Sequence, residues 1–152
     1  MHKIDKPDLI YSLGSGAFLR DPRICANTAG FYIWVGFHVT YEQGSYAKRH
    51  AHTTLPDRFA DANGQCLDHE VCIIVSDNQT SQLVPHRVEL RHLKPVPPKK
   101  KGDWIVVISG DHLGVVAEVK TCKTKDSKAE VLVNGAKISF GFSDICRLTK
   151  PD

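Results

Sequence analysis

The stretch Pro95-Val96-Pro97-Pro98-Lys99-Lys100-Lys101-Gly102 divides this chain. Adjacent prolines fix φ and withhold amide donors, so the segment reads as a short, extended, semi-rigid connection. Its shortness keeps whatever folds on either side close together. The expected organisation is an irregular β-rich module over 1–95, a Pro/Lys linker over 96–101 and a second module over 102–152. With 152 residues there is room for one ordinary domain or two small ones.

Both sides of the linker read as strand and turn. Phe31-Tyr32-Ile33-Trp34-Val35 and Phe37-His38-Val39-Thr40-Tyr41 are rich in aromatic and β-branched residues, and Gly36 between them is a candidate bulge. Val71-Cys72-Ile73-Ile74-Val75 has a buried-strand pattern. After the linker, strands are expected over 104–108, 115–119, 129–133 and 138–142, with turns at Ser109-Gly110-Asp111, Lys125-Asp126-Ser127 and Asn134-Gly135. Asn-Gly between two β-rich runs is a strong hairpin signal, because both positions tolerate positive φ. The one helix-compatible window is 55–62, with Pro56 near its start and Asn63-Gly64 at its end. A weak internal repeat sets Glu70-Val71-Cys72-Ile73-Ile74-Val75 against Glu130-Val131-Leu132-Val133, and the run ending in Lys94-Pro95 against the run ending in Lys150-Pro151. The expectation is an all-β chain of two small, closely joined barrels.

Composition narrows the classes. No apolar run reaches the roughly 18–20 residues that cross a bilayer, and residues 1–7 lack the apolar core of a secretory signal. Five cysteines at irregular spacing argue for a reducing, intracellular compartment. Net charge is only +3, but it is unevenly placed. Residues 1–90 hold 8 Lys+Arg against 10 Asp+Glu, a net of −2, whereas 91–128 hold 9 against 4, a net of +5. That basic block is either a solubilising linker with a solvated hairpin, or a stripe that faces phosphates.

Gly102-Asp103-Trp104-Ile105-Val106-Val107-Ile108-Ser109-Gly110-Asp111-His112-Leu113-Gly114-Val115-Val116-Ala117-Glu118-Val119 resembles a KOW motif. That element belongs to NusG-type transcription elongation factors, to their large eukaryotic counterpart and to several ribosomal proteins. The match consists of Gly-Asp, an alternating strand, Ser-Gly110, a short turn, the motif glycine at Gly114 and a second alternating strand. Leu113 stands where such motifs often carry a lysine, and Ala117 where many carry a second glycine. The resemblance covers 101–149, about a third of the chain. It implies an SH3-like barrel and a non-enzymatic binding module, nuclear, that contacts RNA or DNA, RNA polymerase or another elongation-complex protein.

Candidate phosphate contacts are Lys99, Lys100, Lys101, Lys120, Lys123, Lys125 and Lys128, with His112 in the motif turn as a further donor. Such contacts position a backbone without reading sequence. If Ile105 and Val107 face the barrel core, strand alternation turns Trp104 and Val106 outward, joined by Val115. That outward cluster implies a covered surface: packing against the first module, a protein partner or a base-stacking platform.

Enzyme signals are weak. Gly14-Ser15-Gly16 lacks the flanks of a nucleophile elbow or phosphate loop and reads as a flexible turn. Asp57, Asp61, Asp68 and Glu70 are not paired as acid and base, and His38 and His86 read as core or surface histidines. Cys66, His69 and Cys72, with His50 and His52 upstream, match no paired zinc spacing. Cys122 and Cys146 read as turn and core residues, and the Asn78-Gln79-Thr80 sequon has meaning only on an exported chain. The expectation is a module with no cofactor, no metal, no small-molecule substrate and no membrane partner. The aromatic group Phe31, Tyr32, Trp34, Phe37, Tyr41 and Tyr46 is either core or a cage for a methylated side chain.

Overall fold

A computed structural model describes residues 14–76 and 84–151. The sequon at Asn78 lies outside these. In the first half, strands form where β-branched and aromatic residues alternate: β1 (Tyr32–Phe37), β2 (His50–Thr53), β3 (Ala60–Asp61), β4 (Gly64–Gln65), β5 (Glu70–Ser76), β6 (His86–Glu89) and β7 (Leu93–Pro95). In the second half they are β8 (Trp104–Val107), β9 (Val116–Lys123), β10 (Lys128–Val133), β11 (Ala136–Gly141) and β12 (Ile145–Thr149). The chain is nearly all β, and the pairings are antiparallel.

The same meander occurs twice. In the first half the strand order is β7-β1-β2-β5-β6, and in the second it is β12-β8-β9-β10-β11. Each time the last strand returns beside the first, after a 3-10 turn at Leu90–His92 or at Phe142–Asp144. This is the strand order of an SH3-like barrel. The repeat in the sequence is therefore a topological one, with β5 matching β10. Its final strands align differently from the sequence match: Leu93 and Ile145 both follow directly on the 3-10 turn.

The two meanders share one ten-stranded sheet, because β12 pairs with both β8 and β1. β1 presents one edge to β2 and divides the other. Val35, Gly36 and Phe37 pair with β7, while Tyr32 and Ile33 pair with Thr149 and Leu148 of β12. There are two cores. One holds Leu19, Ile24, Ile33, Val35, Phe37, Val71, Ile73, Leu90 and Leu93 and takes in Val106, Cys146 and Leu148 from the second half. The other holds Ile105, Val107, Val119, Val131, Phe140 and Ile145. β8 is thus buried on both faces, with Ile105, Val106 and Val107 all fully inaccessible.

Four local expectations are corrected. The window 55–62 is not a helix but leads into the β3–β4 hairpin, after a cis Leu55-Pro56 bond. Asp57 and Asp61 each accept the backbone N–H two residues ahead, at 2.8 Å, and so hold turns in competition with a helix. Gly36 is not a bulge, since its pairings run on without a slip and the Lys94 stem crosses it; residues 38–41 leave the sheet. The one bulge in the second barrel lies between Glu130 and Val131, opposite Lys120. Gly14-Ser15-Gly16 is not a loose turn: it begins a 3-10 segment, Gly14–Arg20, packed against Leu90 and Arg91. The Asn134-Gly135 turn has φ of 52° and 84°, as its hairpin requires.

That packing explains Gly16. A Cβ there would lie 2.1 Å from the Leu90 carbonyl oxygen, a backbone atom that cannot swing away. Gly16→Ala is expected to lower the denaturant midpoint, by about 1–3 kcal/mol of stability. An unchanged midpoint would show that this contact does not form.

Candidate nucleic-acid interface

Strand alternation gives the shared sheet a second face beside the linker. Ile33, Val35 and Phe37 point into the first core, so Tyr32, Trp34 and Gly36 point away from it. The register sets His52 opposite Trp34, and His50 and Lys94 opposite Gly36. On β12, Thr149 stands opposite Tyr32. The rings form a contiguous row: Tyr32 and His52 have centroids 4.4 Å apart, and Trp34 meets His52 edge-on at 5.1 Å. The Arg147 guanidinium lies over Trp34, 5.3 Å from its centroid, and Trp34 Nε1 donates to Thr149 Oγ1 at 2.6 Å.

The linker closes one side of this row. Asp103 Oδ2 accepts the backbone N–H groups of Lys99 at 2.7 Å and Lys100 at 3.1 Å, which turns the Pro/Lys segment back toward β12. Arg147 N donates to Val96 O at 2.8 Å, and Val96 is buried. The linker is therefore a packed strap rather than a free tether. The Lys94 stem lies beside the His50 ring across Gly36. The His50 pKa is pushed below the ordinary imidazole range, first by burial and then by the charges of Lys99, Arg147 and Lys94. Among the described residues the carboxylate paired with this group is Asp103, 3.9 Å from Arg147 Nε and largely covered.

The residues singled out from sequence fall into three places. Lys99, Lys100 and Lys101 are exposed on the strap. The β9–β10 hairpin lies at the same end of the second barrel, with Cys122 Sγ 3.8 Å from Pro98 O and Gly102 N donating to Val119 O. At its tip Lys123 stands across from Lys128, with Lys125 exposed between them. Two hairpin lysines are partly spent on neighbours: Lys120 pairs with Glu118 at 3.0 Å and Lys123 with Glu130 at 4.0 Å. His112 is not with them. It lies in the turn at the far end of β8, edge-on to Phe140 at 5.8 Å.

The motif turn itself is covered. Gly110 and Gly114 both have positive φ, 86° and 93°. Gly114 packs under the short helix α1 (Pro22–Asn27), whose Asn27 Nδ2 donates to Gly114 O at 2.7 Å. The proposed outward face of Trp104, Val106 and Val115 is not an open surface. Val106 is fully buried in the first core, Val115 is half-buried against the second, and Trp104 is half-buried at the rim of the first.

The aromatic group splits. Phe37, Tyr41 and Tyr46 pack on one another with centroids 5.1–5.4 Å apart, Phe37 being buried. Phe31 instead meets Trp104, and Tyr32 and Trp34 form the row described above. Lys94 and Arg147 were missed as site residues, while Tyr32 and Trp34 were read as core or a methyl cage and His50 and His52 only as possible metal ligands. The alternation of Tyr32 and Trp34 with Ile33 and Val35, and of His50 and His52 about Ala51, was a signal available for the latter four.

Other chemistry finds little support. Ser15 Oγ meets His38 Nε2 and donates its only proton to Leu93 O at 2.6 Å, so His38 serves it as a donor rather than a base. Arg87 grips Asp61 at 2.7 and 2.9 Å and draws its carboxyl pKa down to about 2, a structural ion pair rather than an acid or base. Cys66 Sγ donates to Glu70 O at 3.3 Å, His69 faces Glu89 at 3.5 Å, and Cys72 is buried with its thiol pushed up to about 11 by that burial. Among the described residues no group of three or more His, Cys, Asp or Glu is placed to hold a metal ion. No described helix is long and apolar enough to cross a membrane.

Fold and face together define a tandem SH3-like-barrel module with a basic, aromatic flank. No family model matches the chain, and no curated protein matches it. Among solved structures it is similar to the crystal structure of ADCP1 tandem Agenet domain 3-4, at 13% identity over 92% of each chain with a TM-score of 0.29. The assignment of the barrels rests on the strand order rather than on that likeness.

Gly114 tests the covered turn. A Cβ there would sit 3.1 Å from Arg23 Cβ on a backbone of φ 93°. Gly114→Ala is expected to cost about 1–3 kcal/mol of stability by thermal or chemical unfolding; wild-type stability would mean that α1 does not cover the turn.

Proposed function

We propose that the chain is a non-enzymatic binding module of the KOW type whose ligand is nucleic acid, held by its phosphates along the strap and against the Tyr32–His52–Trp34 row. The observation that carries this reading is the placement of Arg147 over Trp34 and of Lys94 beside the His50 ring across Gly36, next to those rings. A groove that combines cations for the backbone with aromatic side chains for the bases suits a single strand more than a duplex. Lys100 and Lys101 extend the basic side along the strap. Lys123, Lys125 and Lys128 continue it onto the hairpin. The KOW resemblance makes the setting we propose the transcription elongation complex in the nucleus, beside RNA polymerase. A protein-docking reading through Trp104, Val106 and Val115 has less support, since Val106 is buried and Val115 faces the second core.

Binding through phosphates must fall with salt. Raising salt from about 50 to about 200 mM is expected to weaken single-stranded RNA or DNA roughly 10- to 50-fold, the response of about three phosphate contacts. Arg147→Ala or a Lys99/Lys100/Lys101→Ala variant should lower affinity and flatten that slope. Fluorescence anisotropy with labelled oligonucleotides reads both, and absence of binding at low salt overturns the proposal.

The histidine adds a pH signature. In the free protein Lys94, Lys99 and Arg147 disfavour protonation of His50. A bound phosphate opposes that field and favours the imidazolium, so complex formation takes up a proton as pH falls into the imidazole range. Affinity is expected to rise between about pH 7.5 and 5.5. His50→Ala should remove most of the rise; an identical pH profile in the variant would take His50 out of the interface.

A further inference from the structure

With Val106 buried in the first core and Val115 packed on the second, Trp104 marks a separate corner at the rim of the first core. Trp104 begins β8 opposite Leu148, and Phe31 precedes β1, whose Tyr32 stands opposite Thr149. The two rings therefore meet at the rim of the first core, with centroids 5.8 Å apart and planes at 51°. Both are half-buried against the first core, so the V between their tilted planes keeps part of its surface open to solvent. Lys150, just beyond β12, places its ammonium in that V. Nζ is 4.2 Å from the Trp104 centroid and 5.9 Å from the Phe31 centroid.

A cation within about 6 Å of a ring centroid is attracted by the negative face of the ring, and tryptophan attracts it most strongly. Here one cation is shared by two rings. None of the described ion pairs or hydrogen bonds sets a carboxylate on Lys150. Lys150 is itself exposed, so its ammonium can move out into water without leaving a buried charge behind.

We propose that the Trp104–Phe31 corner is a binding site for the trimethylammonium group of a methylated lysine on a partner protein, and that Lys150 fills it until the partner arrives. The chemistry of the corner selects that group. An ammonium or guanidinium brings N–H donors that need acceptors once water is displaced, and the corner offers ring faces instead. A trimethylated nitrogen has no N–H to satisfy. The site lies on the opposite face of β1 from the Tyr32–Trp34 row, because Phe31 and Tyr32 alternate. It is thus independent of the nucleic-acid reading, and either can fail without the other.

The two tryptophans make the test direct, since the indole N–H signals of Trp104 and Trp34 report the two faces separately in an NMR titration. The probes are a short neutral peptide with one trimethyl-lysine, the same peptide unmethylated, and tetramethylammonium chloride. The Trp104 signal is expected to shift with the methylated peptide and with tetramethylammonium while Trp34 stays in place. Lys150→Ala removes the competitor and should tighten binding about threefold or more, the scale of one exposed cation–π contact. Phe31→Leu keeps the reporter, removes one wall and should weaken binding. The proposal is overturned if Trp104 does not respond in Lys150→Ala at millimolar probe, if both peptides shift it equally, or if Trp34 responds instead.

Discussion

The divided edge of β1 is the constraint on which the rest of this structure depends. Its outer edge holds β7 of its own barrel along one half and β12 of the other barrel along the other half. Buried backbone donors and acceptors must be paired, and this arrangement pairs them across the joint. Side chains reinforce it, with Trp34 Nε1 donating to Thr149 Oγ1 at 2.6 Å and Cys146 Sγ donating to Trp34 O at 3.0 Å. A slip of one residue would turn Leu148 out of the first core and Arg147 into it. The relative placement of the barrels is therefore set by a ladder, and the face beside Trp34 inherits that rigidity.

The segment before β1 locks the joint from the other side. Arg58 is 5% exposed and donates to Thr28 Oγ1 at 3.0 Å and to Thr28 O at 2.8 Å. Burial alone disfavours such a charge and lowers its pKa; several hydrogen bonds to oxygen are what make it tolerable. Those bonds fix the turn that leads from α1 into Phe31. The same helix reaches Gly114 through Asn27. One short, capped helix thus holds its own barrel to the motif turn of the next, and the turn's glycine serves close packing there as well as its positive φ.

What the sequence made legible was whatever depends on neighbours along the chain. Alternation placed Ile105 and Val107 in one core and turned Trp104 and Val106 the other way, and Asn134-Gly135 marked its hairpin. The helix expected over 55–62 failed for a local reason, the Asx turns at Asp57 and Asp61, joined by the long-range grip of Arg87 on Asp61. The candidate interface was illegible for a different reason. Trp34 and Arg147 are far apart in sequence and meet only through the β1–β12 register, and Lys94 reaches His50 only across Gly36. The run of strap lysines was visible because it is contiguous. The aromatic residues beside it were visible as an alternating group, but their adjacency to the strap was not.

A net charge of +3 understates the flank, and the ion pairs explain why. Asp61 is committed to Arg87, Glu89 to Arg91 with His69 and His92 close by, Asp21 to Arg23 and Glu118 to Lys120. Asp103 spends one oxygen on the amides of Lys99 and Lys100, and that shapes the strap more than it neutralises it. Carboxylates used in this way leave Lys94, Lys99 and Arg147 to set the local potential around His50, and the field a ligand meets is local rather than global. Burial first, and then these charges, hold the His50 pKa below the ordinary imidazole range. The sequence total therefore conceals how the cations are distributed, because the basic groups beside Trp34 and His50 are separated from most of the described carboxylates.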